Sequence, residues 1–305
     1  MIANRKFAAL APCANGQRFV CWPAAEQQMA SKGILGVIPR WRAIGDRVSL
    51  DAPYWRPQSP LVAGDLGHSI HCLPSLDSTD FNCGVAQGSV GDFDAGGPSS
   101  GSALILASAT AYSLRLVLRA GAVPPPSITV SLTDADQVLW NCSITFATHD
   151  TEWRTFARNL TVARASSNAT LMVSSSGGGG EWWLGSVSLQ LRDNTWRGLR
   201  RDVIARLKQT RFRGLLRYPG GCFAPFYRWR VGLLQPDLRP PIATPPGYCT
   251  AVAGGVQAYT DGAMELGIGI DDYLALCEEV GLLPAITVRL QTASEGEVRC
   301  GLSEW

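Results

Sequence analysis

The 305-residue chain carries little net charge, only +2 at neutral pH. That excludes the basic footprint of a nucleic-acid binder and the polybasic patch of a membrane-surface protein. It also lacks any apolar run near the roughly 18 residues of a membrane span. Histidine is scarce, with three in the chain. His68-Ser69-Ile70-His71 has helical spacing in a neighbourhood without helical pattern, and no further ligand stands near it. Zinc sites use at least three protein ligands, so the pair reads as two ordinary loop histidines, and neither metal nor organic cofactor is expected. Nine cysteines occur without a single CxxC pair, which excludes a zinc ribbon. Their spacing is too loose for a small disulfide scaffold. One or two disulfides stay open, and the sequence does not choose the partners.

What is present is an ordinary globular composition, with 46% hydrophobic and 17% charged residues. Residues 1–100 are irregular and β-rich, with Gly33–Trp41 and Arg47–Leu50 as strand candidates and Gly96–Gly101 as a breaker. Arg5 and Lys6 precede a short apolar stretch, Phe7–Ala14, broken by Pro12, which makes a poor signal peptide. Residues 101–192 read as an antiparallel β-sandwich. Tyr112, Leu114, Leu116 and Leu118 alternate with Ser113, Arg115, Val117 and Arg119. Ile128, Val130 and Leu132 repeat the pattern; the turn Thr133–Gln137 and the strand opening at Val138-Leu139-Trp140 follow. Leu171, Val173, Val187, Leu189 and Leu191 complete it around the flexible Ser174–Gly180.

Residues 193–305 change period. Leu199, Val203 and Leu207, with Ile204 beside them, mark one helix face, and Asp202 and Lys208 suit its dipole. A short strand, Gly214–Arg217, ends at Pro219-Gly220-Gly221. Proline pairs and Gly254-Gly255 argue against regular structure from Phe223 to about Gly267. Ile270–Val280 reads as a helix begun by Asp271 and Asp272 and stopped by Gly281, and Ala285–Leu290 as the next strand. Helix, strand, loop, helix, strand is the rhythm of a parallel α/β barrel. A closed barrel takes about 250 residues, so this tail supplies part of one.

Five short stretches carry a family resemblance. Val187-Ser188-Leu189 leads to Gly198-Leu199-Arg200-Arg201-Asp202-Val203, then to Leu216-Arg217-Tyr218-Pro219-Gly220-Gly221-Cys222-Phe223, then to Tyr227-Arg228-Trp229-Arg230 and Leu238-Arg239-Pro240. This resembles glycoside hydrolase family 51, the α-L-arabinofuranosidases, and Asn4-Arg5-Lys6-Phe7 is similar to the family's early motif. The resemblance is strong over 187–290, moderate across the sandwich and faint before 100. It implies a carbohydrate-module-like sandwich followed by a partial (β/α)8 TIM-type barrel, in a chain truncated at both ends. It also argues against a signal peptide, because Met1 then falls inside a family motif.

The implied activity is removal of non-reducing-end α-L-arabinofuranosyl residues from arabinose-containing polysaccharides with retention of configuration. Retention needs two carboxyl groups about 5–5.5 Å apart. By the resemblance, the substrate-contacting Glu of the first barrel strand belongs before Met1, and the acid/base and nucleophile Glu beyond Trp305. No catalytic residue is therefore expected within the chain. Arg289 stands where the family commonly has Asn, and the Gly-rich Ala251–Tyr259 replaces a Trp- and Tyr-containing segment. Glu278 and Glu279, adjacent on a helix, read as a solvated face, and Glu295 and Glu297 as a polar loop.

The resemblance assigns Arg217 and Cys222 to the furanose pocket and Trp229 to its wall, with Gly220 and Gly221 letting backbone approach the sugar. The plainer alternative makes Arg217 a buried ion-pair partner and Trp229 core. Cys222 is not a cysteine nucleophile on this reading, since no histidine follows His149. Trp153, Trp182 and Trp183 are sugar platforms or sandwich core, with core favoured by their place on strands. Sequons at Asn141, Asn159 and Asn168 offer glycosylation sites and lean towards an extracellular or secretory location, against chance in a Ser/Thr-rich region. The competing classes are a non-catalytic carbohydrate-binding protein and a degenerate scaffold.

Overall fold

The computed structural model describes residues 11–12, 21–22, 41–45, 48–51, 69–73, 83–88, 104–147, 151–175, 180–210, 213–220, 224, 227–239, 242–243, 263–264 and 266–288. Its sandwich strands are β1 (Arg42–Ile44), β2 (Val48–Asp51), β3 (Ser69–Cys72), β4 (Cys83–Gly88), β5 (Leu104–Leu106), β6 (Ala111–Ala120), β7 (Ile128–Asp134), β8 (Gln137–Ile144), β9 (Arg154–Thr161), β10 (Ser166–Ser175) and β11 (Trp182–Leu191). One sheet runs β8-β7-β10-β4-β1, with β5 also on β10; the other runs β9-β6-β11-β3-β2. All these pairings are antiparallel.

The alternation in β6 buries Tyr112, Leu114, Leu116 and Leu118 between the sheets, as the sequence predicts. They join Val130 and Leu132 of β7, Leu171 and Val173 of β10, and Val187 and Leu189 of β11 in one core. Trp41 and Trp182 are its largest fully buried side chains. Strand-forming segments from residues 1–100 pair into both sheets, so part of that region belongs to the sandwich. Val48–Asp51 falls within a residue of the expected strand, whereas 33–40 and 96–101 lie outside the described residues.

Beyond the sandwich come α1 (Arg201–Gln209), β12 (Leu215–Tyr218), α2 (Trp229–Leu233), α3 (Ile270–Val280) and β13 (Leu283–Ile286). β12 and β13 pair in parallel, Leu215 opposite Leu283 and Tyr218 opposite Ile286, with α3 between them in sequence. Gly281 ends α3 at φ 73°, a left-handed position where glycine carries no Cβ penalty.

Three expectations are corrected. The buried residue of α1 is Ile204; Val203 and Leu207 are 47% and 40% exposed, so the helix presents a different face to its neighbours. The stretch after Phe223 holds regular structure: α2, a 3₁₀ turn at Pro236–Leu238, and an antiparallel bridge between Ile242–Ala243 and Ala263–Met264. The proline pairs and Gly254-Gly255 on which that expectation rests lie outside the described residues. The last strand begins at Leu283, two residues before its expected start, with Pro284 inside it opposite Leu216.

Candidate functional site

The parallel pair places Arg217 and Tyr218 at the C-terminal end of β12, the end at which barrel enzymes build their sites. Arg217 is exposed, which removes the buried ion-pair alternative. Its guanidinium lies over Gly220, where an added Cβ would meet Nη2 at 3.8 Å. Trp229 opens α2 and is half-buried, with the Arg230 guanidinium 5.4 Å from its ring centroid. Gly221 and Cys222 lie outside the described residues.

Beneath this surface sits a tyrosine cluster with no counterpart in the sequence reading. Tyr218 stacks on Tyr273 at 5.1 Å and meets Tyr227 edge-on at 5.1 Å. Tyr218 donates to the Ile268 carbonyl at 2.6 Å, and Tyr273 donates to the Leu216 carbonyl at 2.5 Å. Tyr273 also accepts from the Ala285 amide at 2.7 Å, so one phenol bridges the two parallel strands. Burial pushes the Tyr218 and Tyr227 phenols above their ordinary range, which keeps them neutral hydrogen-bonding groups.

Arg239 fixes the segment that carries Trp229. It is 3% exposed and donates to the Leu234 carbonyl at 2.7 Å and to Asp272 Oδ2 at 2.9 Å. The same Asp272 oxygen accepts from the Gly269 amide at 3.0 Å, so the carboxylate caps α3 and anchors the loop together. Glycine is required at Gly269 because a Cβ there would meet the Gly232 carbonyl of α2 at 1.8 Å. Leu238 packs on Val117, on the outer face of β6, and ties this loop to the sandwich.

Two of the carboxylates nearby are already paired. Asp272 holds Arg239 and lies 3.5 Å from Arg197 Nη1. Glu279 pairs with Lys208, and Glu278 is exposed on α3, as a solvated face requires. Glu295 and Glu297 lie outside the described residues. A small open cleft of about 160 Å³ between α1 and α3, lined by Trp196, Arg201, Ile204, Ala205, Lys208 and Glu279, stands apart from the residues at the strand ends. It is below the roughly 300 Å³ of ordinary ligand pockets.

The outer face of the second sheet carries a cross-strand row. Trp183 sits between Arg119 of β6 and His71 of β3, and His71 faces Ser49 of β2. Trp183 stacks on His71 at 4.5 Å and 4°, and the Arg119 guanidinium lies 3.9 Å from the Trp183 ring centroid and 5.1 Å from that of Trp153. Trp183 donates to Asp51 at 2.9 Å, and His71 Nε2 lies 2.7 Å from Glu181. The row corrects the reading of His71 as a loop residue; it is a strand residue whose ring packs against an indole. His68 lies outside the described residues, among which no cluster of metal-ligating side chains occurs. Trp182 is core, and Trp183 is buried among its own neighbours, so neither is an open sugar platform. Trp153 is half-buried. Asn141 and Asn159 are exposed on strands β8 and β9, and Asn168 is half-buried on β10.

No known family model matches the chain, and no curated protein matches it. Among solved structures, it is similar to the arabinose-bound MgGH51 α-L-arabinofuranosidase, with a TM-score of 0.63 at 18% identity. The likeness covers 99% of this chain and 44% of that enzyme, so the chain spans less than half of its neighbour's length. At that identity it establishes a shared fold. Half of the chain is also similar to a family 4 carbohydrate-binding module and to the CBM22-1 xylan-binding domain of Paenibacillus barcinonensis Xyn10C, at TM-scores of 0.33 and 0.30, too low to argue from. The fold class supported is a mostly β structure, an antiparallel two-sheet sandwich followed by a short α/β region. No described helix is long and apolar enough to cross a membrane.

Proposed function

We propose that the chain is the sandwich and opening catalytic segment of an α-L-arabinofuranosidase-type glycoside hydrolase, acting on arabinose-containing polysaccharides. The observation that carries this is the exposed Arg217 guanidinium over Gly220 at the end of a parallel strand, in a chain that matches 44% of an arabinofuranosidase over 99% of its own length. A free guanidinium offers five donors to sugar hydroxyls. Gly220 and Gly221 admit the ring, and Cys222 and Trp229 line it. Asp272 and Glu279 are paired and Glu278 lies on an exposed helix face, so on this reading the chain contributes substrate contacts and not the acid/base pair. The incomplete (β/α) barrel is part of the same proposal, as is an extracellular or secretory location with glycans at Asn141 and Asn159.

The test is binding of arabinoxylan oligosaccharides to the purified 305-residue chain, alongside hydrolysis of a chromogenic arabinofuranoside. Measurable binding, weakened about tenfold or more by Arg217→Ala, is expected, because hydrogen bonds to charged groups are worth about 1.5–3 kcal/mol. Arabinose release is expected to be absent. Specific release by a verified preparation contradicts the assignment of carboxylates, and binding unaffected by Arg217→Ala contradicts the site. The pairing of Asp272 and Glu279 also favours a second reading, a non-catalytic sugar-binding protein using the sandwich. It is supported if Trp153→Ala abolishes binding while Arg217→Ala does not.

A further inference from the structure

We propose that Cys72 and Cys83 form a disulfide that joins the two sheets of the sandwich when the chain folds in a disulfide-donating environment. Cys72 ends β3 in one sheet, and Cys83 begins β4 in the other. Both are core residues, 0% and 2% exposed. Backbone register gives each an in-sheet partner, and those two partners meet across the gap. Cys72 lies opposite Trp182 within its sheet, and Cys83 lies opposite Ser175 within the other. The gap is bridged next to them: Trp182 Nε1 donates to Ser175 Oγ at 3.1 Å, and Ser175 Oγ donates to the Cys83 carbonyl at 3.3 Å. Cys72 and Cys83 thus stand beside one buried inter-sheet contact, and the neighbouring Cys83 adds to the burial that raises the Cys72 thiol. The structure holds both as thiols.

The chemistry is thiol–disulfide exchange with a small or protein disulfide as oxidant. The Cys83 thiolate attacks one donor sulfur and expels one thiol. Cys72 then attacks the Cys83 sulfur of that mixed disulfide, forming the new S–S bond and expelling the second thiol. Two protein thiols are oxidised, and one donor disulfide is reduced to two thiols. In the folded state burial holds the Cys72 thiol well above its ordinary range, so exchange belongs to folding or to opening of the sandwich. The proposal does not depend on the sugar-binding reading.

The experiment refolds the full chain from denaturant in a reduced/oxidised glutathione buffer, blocks remaining thiols, and maps peptides by mass spectrometry before and after reduction. The expected product is a linked pair containing Cys72 and Cys83, lighter than the separate peptides by two hydrogens and lost on reduction. Its thermal midpoint should exceed that of the reduced chain by on the order of 5 °C or more, and this difference should vanish in Cys83→Ala. Alkylation of both cysteines, or linkage of either to another cysteine, overturns the pairing. A linked pair without a rise in midpoint overturns its role as a lock between the sheets.

Discussion

The sandwich and the α/β region solve the burial problem differently. In the sandwich, two sheets face each other and enclose a continuous core in which Ile70, Leu118, Val130 and Val173 have no exposed surface. In the α/β region the parallel pair keeps apolar side chains in the open: Leu215 and Leu283 are 65% and 66% exposed, and Ile286 is 42% exposed. What orders this second region is polar and aromatic. A buried Arg239–Asp272 pair, a helix cap and three tyrosines hold the loop, the helix and both strands together. The first region is stabilised by a large continuous area removed from water, the second by a small apolar set (Ile204, Val231, Leu266, Ile270 and Cys277) together with a few directional contacts that each join several segments.

That contrast is broken or sharpened first by truncating apolar side chains on both sides of it. Trp182→Ala removes a fully buried indole and the donor to Ser175 Oγ, and should cost about 3–5 kcal/mol. Leu283→Ala, on an exposed strand, should stay within about 0.5 kcal/mol. Urea denaturation followed by far-UV circular dichroism measures both, and comparable losses mean that Leu283 is buried in solution by something the contrast leaves out.

The second experiment targets the polar side. Asp272→Ala leaves the Arg239 guanidinium buried without its carboxylate and removes the acceptor for the Gly269 amide. Breaking one partner of a buried pair costs about 3 kcal/mol or more. Hydrogen exchange should show the first turn of α3 and the 227–239 loop losing protection while β6 and β11 keep theirs. Uniform loss across both regions means that they unfold as one cooperative unit.

The same contrast explains what was legible in the sequence. Burial by area leaves a period: Tyr112, Leu114, Leu116 and Leu118 announce their strand because one face of it is apolar throughout. Directional contacts leave none. Arg239 and Asp272 are 33 positions apart, and nothing local marks either as half of a pair. Val117 sits on the polar face of its strand by pattern, and it is buried because Trp153 and Leu238 arrive from farther along the chain. In α1, Val203 and Leu207 follow the helical period that should mark a buried face, yet Ile204 is the residue covered. Arg217 could be placed at a strand end because the following Pro-Gly-Gly stops the strand, whereas the tyrosines below it carry no spacing signal at all.

The smallest effect is expected at the seam between the two regions, and it depends on pH. Asp202, in the first turn of α1, accepts from Arg200 at 3.0 Å, Asn194 at 2.9 Å and the Val203 amide at 3.0 Å. Its carboxyl is held down to about 2, first by the Arg200 hydrogen bond and then by Asn194. The neighbouring Asp193 is lowered as well, by its hydrogen bond to Arg192. A carboxyl with a depressed folded-state pKa adds stability that is fully present above its unfolded value of about 3.9 and is lost as pH falls through the folded value. Acidification from about 4 to 2 should therefore loosen residues 192–202 while the sandwich core, which owes nothing to these carboxylates, stays protected. Because both groups are fully exposed, salt should screen the effect and move the Asp202 carboxyl back towards its ordinary range. Carbon-detected NMR titration of Asp202 at low and high salt reads this directly. A carboxyl that titrates near 4 in both conditions means that the Arg200 contact is not populated in solution, and that the two regions are joined by backbone and the Leu238–Val117 contact without help from charge.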